Sequence, residues 1–182
     1  FLAGAIATFI VLGVQVVVAD MGKSNGIAPY SFLSFILLAT VEEVFKFGAA
    51  RLVIGEHKKD FDEPVDAMIY LIVAALGFAT VENIAAAVKA SEFAFETVTL
   101  RFLGATLLHT LSSGLLGYYW AKSLLENNWK KLLTGFALAI ALHAVFNYLI
   151  LRYEPIVIPT IFLTISATFI LYDFEKLKHI KI

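Results

Sequence analysis

The chain has 182 residues, of which 60% are hydrophobic and 16% are charged, and its formal net charge is −1. Soluble domains usually contain about 25% charged residues, and the mean hydropathy here is +0.83, so we expect an integral membrane protein. The absence of cysteine excludes disulfides, thiolate metal sites and cysteine nucleophiles. The nearly balanced charge, without a basic patch, gives no indication of nucleic-acid binding.

Six predominantly apolar stretches are long enough, at roughly 20 residues, to cross a bilayer as helices. In chain order they are predicted at about 1–19, 29–54, 66–89, 98–124, 132–152 and 156–173. None of them alternates with a period of two, as a barrel strand would. The sequence therefore predicts an all-α, polytopic transmembrane helical bundle of about six spans, forming a single domain over residues 1–182.

The first stretch is free of charge and is not preceded by a basic segment, so it is predicted to be a true span and not a signal peptide. The chain begins at Phe1, not at Met, which is compatible with a natural N-terminus, and further helices, upstream. Gly22 and Gly26 are expected to end this helix, and Pro29 suits the first turn of the next one.

The distribution of lysine and arginine predicts the orientation in the membrane. Nine such residues follow the second, fourth and sixth stretches: Arg51, Lys58, Lys59, Lys122, Lys130, Lys131, Lys176, Lys178 and Lys181. The other side has four: Lys23, Lys89, Arg101 and Arg152. Both termini of this fragment are therefore predicted to be cytoplasmic, and the composition fits a prokaryotic plasma membrane.

The second stretch contains three ionisable residues, Glu42, Glu43 and Lys46, within five positions. Each such group near the bilayer centre costs roughly 2.5–3.5 kcal/mol. Helical geometry places Lys46 about 40° from Glu42 and about 60° from Glu43, one turn along and between the two carboxylates. A buried ion pair is the structural alternative, but one lysine neutralises only one glutamate. We therefore expect the triplet to serve chemistry.

The next three stretches also carry polar residues: Phe78, Glu82 and Asn83 in the third, His109, Thr110, Ser112 and Ser113 in the fourth, and His143 and Asn147 in the fifth. The depths of Glu82, His109 and His143, at about 1.5 Å per residue, predict that they line one cavity with the glutamates, in the middle and outer half of the membrane, and Asn147 shares a helix face with His143. Taken alone, Asn83 and His109 fit an interhelical hydrogen bond equally well. Thr110, Ser112 and Ser113 are expected to be packing residues, and Arg101 an interfacial anchor.

These residue types indicate hydrolysis. Two adjacent carboxylates in a low-dielectric site cannot both ionise cheaply, so one is expected to hold a proton, and such a pair can deprotonate a bound water. His143 and Asn147, one helical turn apart, offer two donors to an oxyanion. Together they describe hydrolysis of an amide by activated water. The HExxH, GxGD and GxSG motifs of other intramembrane proteases are absent.

The run Glu42-Glu43-Val44-Phe45-Lys46 resembles the EExxK motif of the PrsW family of intramembrane proteases, and Phe78-Ala79-Thr80-Val81-Glu82-Asn83 is similar to its FxxxEN motif. His109 with Ser112, Ser113 and Gly114, and His143 with Asn147, resemble its two later histidine motifs. The resemblance covers about residues 30 to 150. The related CAAX prenyl endopeptidases and Abi-type proteins carry EExxxR and FxxxH. Lys46 and Glu82 depart from those motifs and favour the PrsW branch.

The resemblance implies a glutamic-type intramembrane endopeptidase without a cofactor, which cuts a membrane-anchored protein such as an anti-sigma factor. It implies that Glu42 is the general base, with Glu43 as its partner, although geometry does not decide between the two. His143 and Asn147 would be the oxyanion donors. The expected catalytic residues are Glu42, Glu43, Lys46, Glu82, His109, His143 and Asn147, and the expected substrate contacts are Phe78 and Asn83.

Three alternatives use the same residues. Glutamate and histidine donors on several helices could hold a metal ion in a metal-dependent membrane protease, but no spacing here is specific for zinc and Lys46 would oppose a cation. A proton- or ion-coupled transporter also uses such groups, but no inverted repeat is visible. A scaffold with a degenerate site is the third, yet every expected catalytic position is filled. The oligomeric state cannot be inferred.

Overall fold

The fold is helical throughout the part of the chain that the computed structural model describes, which is residues 1–56, 61–153 and 157–180. Within these ranges no strand occurs, so the predicted all-α class is confirmed. Its α-helices are α1 (Leu2–Ser24), α2 (Phe32–Glu56), α3 (Asp66–Ala90), α4 (Ala94–Arg101), α5 (Leu107–Leu125), α6 (Trp129–Arg152) and α7 (Val157–Lys178). A 3₁₀ turn, Ser91–Phe93, joins α3 to α4, and a π-helical segment, Phe102–Thr106, joins α4 to α5.

Four helical stretches of the described chain are long and apolar enough to cross a membrane: Leu2–Ser24, Asp66–Leu125, Trp129–Arg152 and Val157–Lys178. The expected count of about six is therefore not confirmed. One reason is that α2, with Glu42, Glu43 and Lys46 at its middle, is too polar to be counted. The other is that Asp66–Leu125, which contains the predicted third and fourth spans, is counted as one helical run of 60 residues. This run reverses after α3, where Ser91 has a φ of 52° and from where α5 returns along α3.

Most helix boundaries agree with the predicted ones to within five residues, but the predicted stretch 98–124 is divided among α4, the π-helical segment and α5. The start of α2 also differs. This helix begins at Phe32 and not at position 29, because Tyr30 has a φ of 59°, which no residue of a right-handed helix adopts. Ser31 then caps the helix, since its Oγ accepts a hydrogen bond of 3.2 Å from the backbone N–H of Ser34. Lys58, Lys59 and Lys181 of the orientation count lie outside the described residues.

The centre of the bundle is α5, which packs against α3, α6 and α7, while α2 packs against α1, α3 and α6. The apolar core between them includes Met68, Leu71, Leu108 and Leu116, all essentially fully buried. Backbones meet closely where α5 crosses α3, because a Cβ added at Gly117 would lie 2.6 Å from Met68 Cα. The buried faces of α2, α3, α5 and α6 are therefore held close together, and these are the four helices that carry the predicted site residues.

One end of the bundle gathers basic residues from three different helices. The Arg51 guanidinium lies over the Trp120 ring, 5.9 Å from its centroid. Lys122 and Lys131 both pair with Glu126, at 3.6 and 3.4 Å. The ends of α2 and α5 and the start of α6 therefore lie on the same side, as the orientation count requires.

The helix crossing at Gly117 predicts a stability change. In Gly117→Ala the new Cβ would overlap the backbone of α3 at Met68 Cα and at Ala67 O, 2.8 Å away, so the two helices must separate. We expect a loss of about 1–3 kcal/mol in the free energy of unfolding, measured by thermal unfolding in detergent. Gly13→Ala is the control, because no described atom lies within 4 Å of its added Cβ. Equal unfolding midpoints for the two variants would contradict the close packing.

Candidate active site

Glu43 is the most heavily bonded side chain of the polar cluster. Its Oε1 lies 2.6 Å from Lys46 Nζ, 2.7 Å from His143 Nδ1 and 3.0 Å from the Ser112 hydroxyl, each of which donates to it. These four side chains come from α2, α5 and α6, and none is more than 2% exposed. A buried carboxylate is tolerated only when it is paired and hydrogen-bonded in this way. Glu43 therefore ties three helices together.

Lys46 does not sit between the two glutamates as the sequence predicts. Among the described residues it forms an ion pair with Glu43 and none with Glu42. Its ammonium also lies 3.2 Å from His109 Nδ1 and 5.6 Å from the centroid of the Phe78 ring. Both glutamates are within reach of Lys46 along the helix, and the neighbouring helices distinguish them: Ser112 of α5 and His143 of α6 bond to Glu43. Glu42 instead bonds to Gln15 of α1.

Glu42 presents its two oxygens to different surroundings. Oε1 accepts a hydrogen bond of 2.8 Å from the Gln15 amide of α1. Oε2 is buried, has no hydrogen-bond partner within the described residues, and lies 3.5 Å from His143 Nε2 and 3.7 Å from His109 Nδ1. The second oxygen of Glu43 also lacks a partner, but that side chain is fully buried. Glu42 is therefore the glutamate of the pair with a free oxygen turned towards the histidines.

A second network holds Glu82 and His109. His109 Nε2 donates to Glu82 Oε2 over 2.9 Å, and the Arg101 guanidinium donates to the same oxygen over 3.3 Å. Arg101 also donates to Asn83 Oδ1 over 2.8 Å, and the Asn83 amide donates to Thr106 Oγ1 over 2.8 Å. Arg101, expected to be an interfacial anchor, is instead part of the cluster, which it joins from the end of α4.

The polar side chains surround one cavity of about 170 Å³. Six of them line it: Glu42, Glu82, Arg101, His109, His143 and Asn147. The prediction that residues of four spans line a common cavity is thus confirmed for five positions, while Glu43 and Lys46 lie behind it. The π-helical segment contributes Ala105 to the wall, and such segments often occur at functional sites.

The two expected substrate contacts lie outside this cavity. Phe78 is 0% exposed, and its ring packs against the His109 ring with 5.4 Å between centroids. Asn83 is engaged by Arg101 and Thr106 at the edge of the network. The structure gives Phe78 no access to the cavity, because its ring is buried against the His109 ring and beside the Lys46 ammonium. Both residues support the side chains that do line it.

The hydrogen bonds assign the state of each imidazole. His109 Nδ1 accepts from the Lys46 ammonium and its Nε2–H donates to Glu82, which describes a neutral ring. His143 uses Nδ1–H for Glu43, so that its Nε2 lone pair faces Glu42. Acceptor atoms of Glu42, His109 and His143 therefore converge, and one ligand atom from each lies within 4.8 Å of the others. Such a convergence suits a shared proton, a polarised water or a cation.

Four members of the cluster were missed or misread at the level of sequence: Gln15, Arg101, Thr106 and Ser112. Gln15 had a usable signal, since it is the one amide side chain in the first apolar stretch. Ser112 lies one turn after His109, on the face that meets Glu43. No feature of the sequence indicated that Arg101 and Thr106 belong to the cluster, because their contact with Asn83 depends on how far α3 extends before the chain reverses.

The fold and the site together define a class: a polytopic helical membrane protein with a carboxylate–histidine cluster around a polar cavity. A family model described as PrsW family intramembrane metalloprotease matches residues 1–172. The chain belongs to this family.

Relatives of the chain include three proteins named Protease PrsW. The one from Geobacillus kaustophilus is 33% identical over 85% of this chain and 66% of its own length. The relative from Oceanobacillus iheyensis is 30% identical over 82% and 67%, and that from Clostridioides difficile is 28% identical over 83% and 65%. The chain thus spans about two thirds of the length of these relatives. No solved structure matches it.

The buried Lys46–Glu43 ion pair is expected to contribute much more to stability than an exposed ion pair does. In Lys46→Met the Glu43 carboxylate loses its charge partner inside the bundle, and breaking a buried pair in this way costs about 3–5 kcal/mol. Thermal unfolding in detergent should show a clearly lower midpoint. Lys122→Met is the matched control, because Lys122 and its partner Glu126 are 28% and 42% exposed and such pairs contribute about 1 kcal/mol or less. Equal effects would argue against Glu43 as a structural carboxylate.

Proposed function

We propose that this chain is an intramembrane endopeptidase that hydrolyses a peptide bond of a membrane-anchored protein with a water activated by Glu42. The observation that carries the proposal is the free, buried Glu42 Oε2, which lies beside two histidines at the wall of a polar cavity. Membership of the PrsW family and relatives named as proteases support the reaction class.

The choice of Glu42 over Glu43 follows from their partners. Glu43 Oε1 already accepts from Lys46, His143 and Ser112, so its removal would release three helices. Its free Oε2 belongs to a fully buried side chain that does not line the cavity. Glu42 has one hydrogen bond and one free oxygen. A general base must lie within hydrogen-bond reach of the proton it takes, and the side chain that can meet a water in the cavity is Glu42.

The reaction follows from these positions. Glu42 takes one proton from a water whose oxygen bonds to the carbonyl carbon, giving a tetrahedral oxyanion. The Asn147 amide donates to that oxyanion, and the Arg101 guanidinium adds positive charge in the same cavity. The proton passes from Glu42 to His143 Nε2, 3.5 Å away, and then to the amine nitrogen as the C–N bond breaks. The products are a new carboxylic acid and a new amine, and the second water proton then passes from the acid to the amine, which leaves a carboxylate and an ammonium group.

The other expected catalytic residues take positioning roles in this scheme. Glu43 orients the His143 ring through Nδ1, and Lys46 keeps Glu43 ionised. Glu82 orients the His109 ring through Nε2, with Arg101 as its counter-charge. Asn83 in turn holds Arg101 in place. His143 Nε2 can donate a hydrogen bond to the oxyanion only while it carries the proton received from Glu42. Its role as an oxyanion donor and its role in proton transfer therefore belong to the same step.

A metal-dependent version of the same hydrolysis is the second candidate, and the donor set fits it. Glu42, His109 and His143 would hold the ion, with each imidazole backed by a carboxylate, Glu82 or Glu43, as metal-binding histidines usually are. A bound ion supplies a Lewis acid that acidifies water and polarises a carbonyl. The Lys46 ammonium, 3.2 Å from His109 Nδ1, opposes a cation at that nitrogen, and for this reason we favour activation by Glu42.

The membrane arrangement is part of the proposal. We infer that α2 crosses the bilayer, because Glu42, Glu43 and Lys46 are buried inside the bundle and do not face lipid. With α1, α3, the run from α4 to α5, α6 and α7 this gives six crossings in one domain. The end with Arg51, Lys122 and Lys131 would be cytoplasmic. The substrate would be a protein with a single span, such as a membrane-anchored anti-sigma factor.

Replacement of Glu42 tests the proposed base. In Glu42→Gln the cavity keeps its shape but the proposed base can no longer take the water proton, so we expect turnover to fall by about 10³-fold. The assay uses a single-span reporter with a tag at each end, and cleavage releases a soluble tail. Glu126→Gln, a surface glutamate, should keep full activity. A fully active Glu42→Gln would contradict the proposal, and proton flux lost in this variant would favour a transporter.

Chelation separates the two versions of the mechanism. If Glu42 activates the water directly, EDTA or 1,10-phenanthroline should leave cleavage of the reporter in proteoliposomes within about twofold of its starting rate. Loss of activity with chelator, followed by recovery on addition of one divalent metal, would replace the first version with the metal-dependent one. Metal content measured on the purified protein gives a readout that is independent of activity.

A further inference from the structure

The most informative contact outside the predicted motifs is made by Gln15. In the stretch 1–19 only Thr8 and Gln15 carry hydrogen-bonding side chains, and an amide left without a partner in hydrocarbon is strongly unfavourable. The Gln15 amide donates to Glu42 Oε1 over 2.8 Å. A helix that no motif includes therefore touches the proposed base directly.

The position of α1 is fixed by its crossing with α3. A Cβ added at Gly4 would overlap the carbonyl oxygen of Ala74, and one added at Gly77 would overlap that of Phe1. Thr8 Oγ1 donates to the carbonyl oxygen of Phe78 over 3.4 Å. Gln15 lies seven residues further on, two turns along and on nearly the same face of the helix. The crossing therefore sets the depth and rotation at which Gln15 meets Glu42.

Glu42 needs such a partner because its carboxylate is otherwise free to rotate. The terminal torsion of a glutamate is broad and has no sharp preferred angle. With Oε1 bound to Gln15, the plane of the carboxylate is defined and Oε2 lies between His109 and His143. Without this bond, either oxygen could turn away from the cavity.

We propose that Gln15 is a positioning residue for the reaction, which acts from α1 through the Glu42 carboxylate. The inference rests on the proposed function, in which Glu42 is the base. It differs from a merely structural hydrogen bond between α1 and α2, which would affect folding but not the rate of the chemical step once the protein is folded.

The test compares Gln15→Met with Thr8→Val in proteoliposomes containing the single-span reporter. Gln15→Met keeps the length of the side chain and removes the donor, so we expect kcat to fall about tenfold to a hundredfold, since misplacement of a catalytic group by about 1 Å has effects of this size. The KM for the reporter should stay within about twofold. Thr8→Val removes the bond from α1 to α3 on the same face without touching Glu42, and it should keep the kcat of the wild type.

Two results would overturn the inference: an unchanged kcat in Gln15→Met, or equal losses of kcat in Gln15→Met and Thr8→Val. Gln15→Asn keeps the amide on a shorter side chain, so it should have a kcat between those of Gln15→Met and the wild type. If Gln15→Met does not fold, an unchanged kcat in Gln15→Asn overturns the inference. Failure of the proposed function is recognised separately, because it requires that Glu42→Gln stays active. An inactive Glu42→Gln beside a fully active Gln15→Met rejects only the role of Gln15.

Discussion

The burial of the Glu43 carboxylate is the constraint on which the rest of the structure depends. A charge with no exposed surface must be met by donors, and it receives them from its own helix at Lys46, from α5 at Ser112 and from α6 at His143. These contacts bring three helices to one point. They also fix the orientation of His143, whose other ring nitrogen faces the cavity.

This arrangement gives two adjacent glutamates different tasks. Because Glu43 takes up the lysine and one histidine, Glu42 is left with a free oxygen at the cavity wall. The same division recurs on the other side of the cavity, where Glu82 is held by Arg101 and in turn orients His109. Each imidazole is thus backed by a carboxylate, and Glu42 lies opposite both rings. This pattern explains why the residues suit either an activated water or a metal ion.

Much of the candidate site could be predicted from the sequence, because a polar side chain inside an apolar helix must find polar partners or line a cavity. The cavity residues Glu42, Glu82, His109, His143 and Asn147 were all found in this way. The partner of Lys46 was not, because Glu42 and Glu43 are both within reach on a helix and only the position of α5 selects Glu43. The burial of Phe78 was not predicted either, because the sequence does not show that the His109 ring covers it. The count of about six spans is not confirmed for a related reason, since Glu42, Glu43 and Lys46 make α2 too polar to be counted as a span.

The central claim is that Glu42 performs the chemistry while Glu43 holds the fold, and a paired measurement on Glu42→Gln and Glu43→Gln tests it most directly. Turnover of the reporter and the thermal unfolding midpoint are measured on the same preparation of each variant. The account predicts that Glu42→Gln loses turnover with a midpoint within about 2 °C of the wild type, and that Glu43→Gln unfolds at a clearly lower temperature. A Glu43→Gln protein as stable as the wild type, beside a destabilised but active Glu42→Gln, would contradict it.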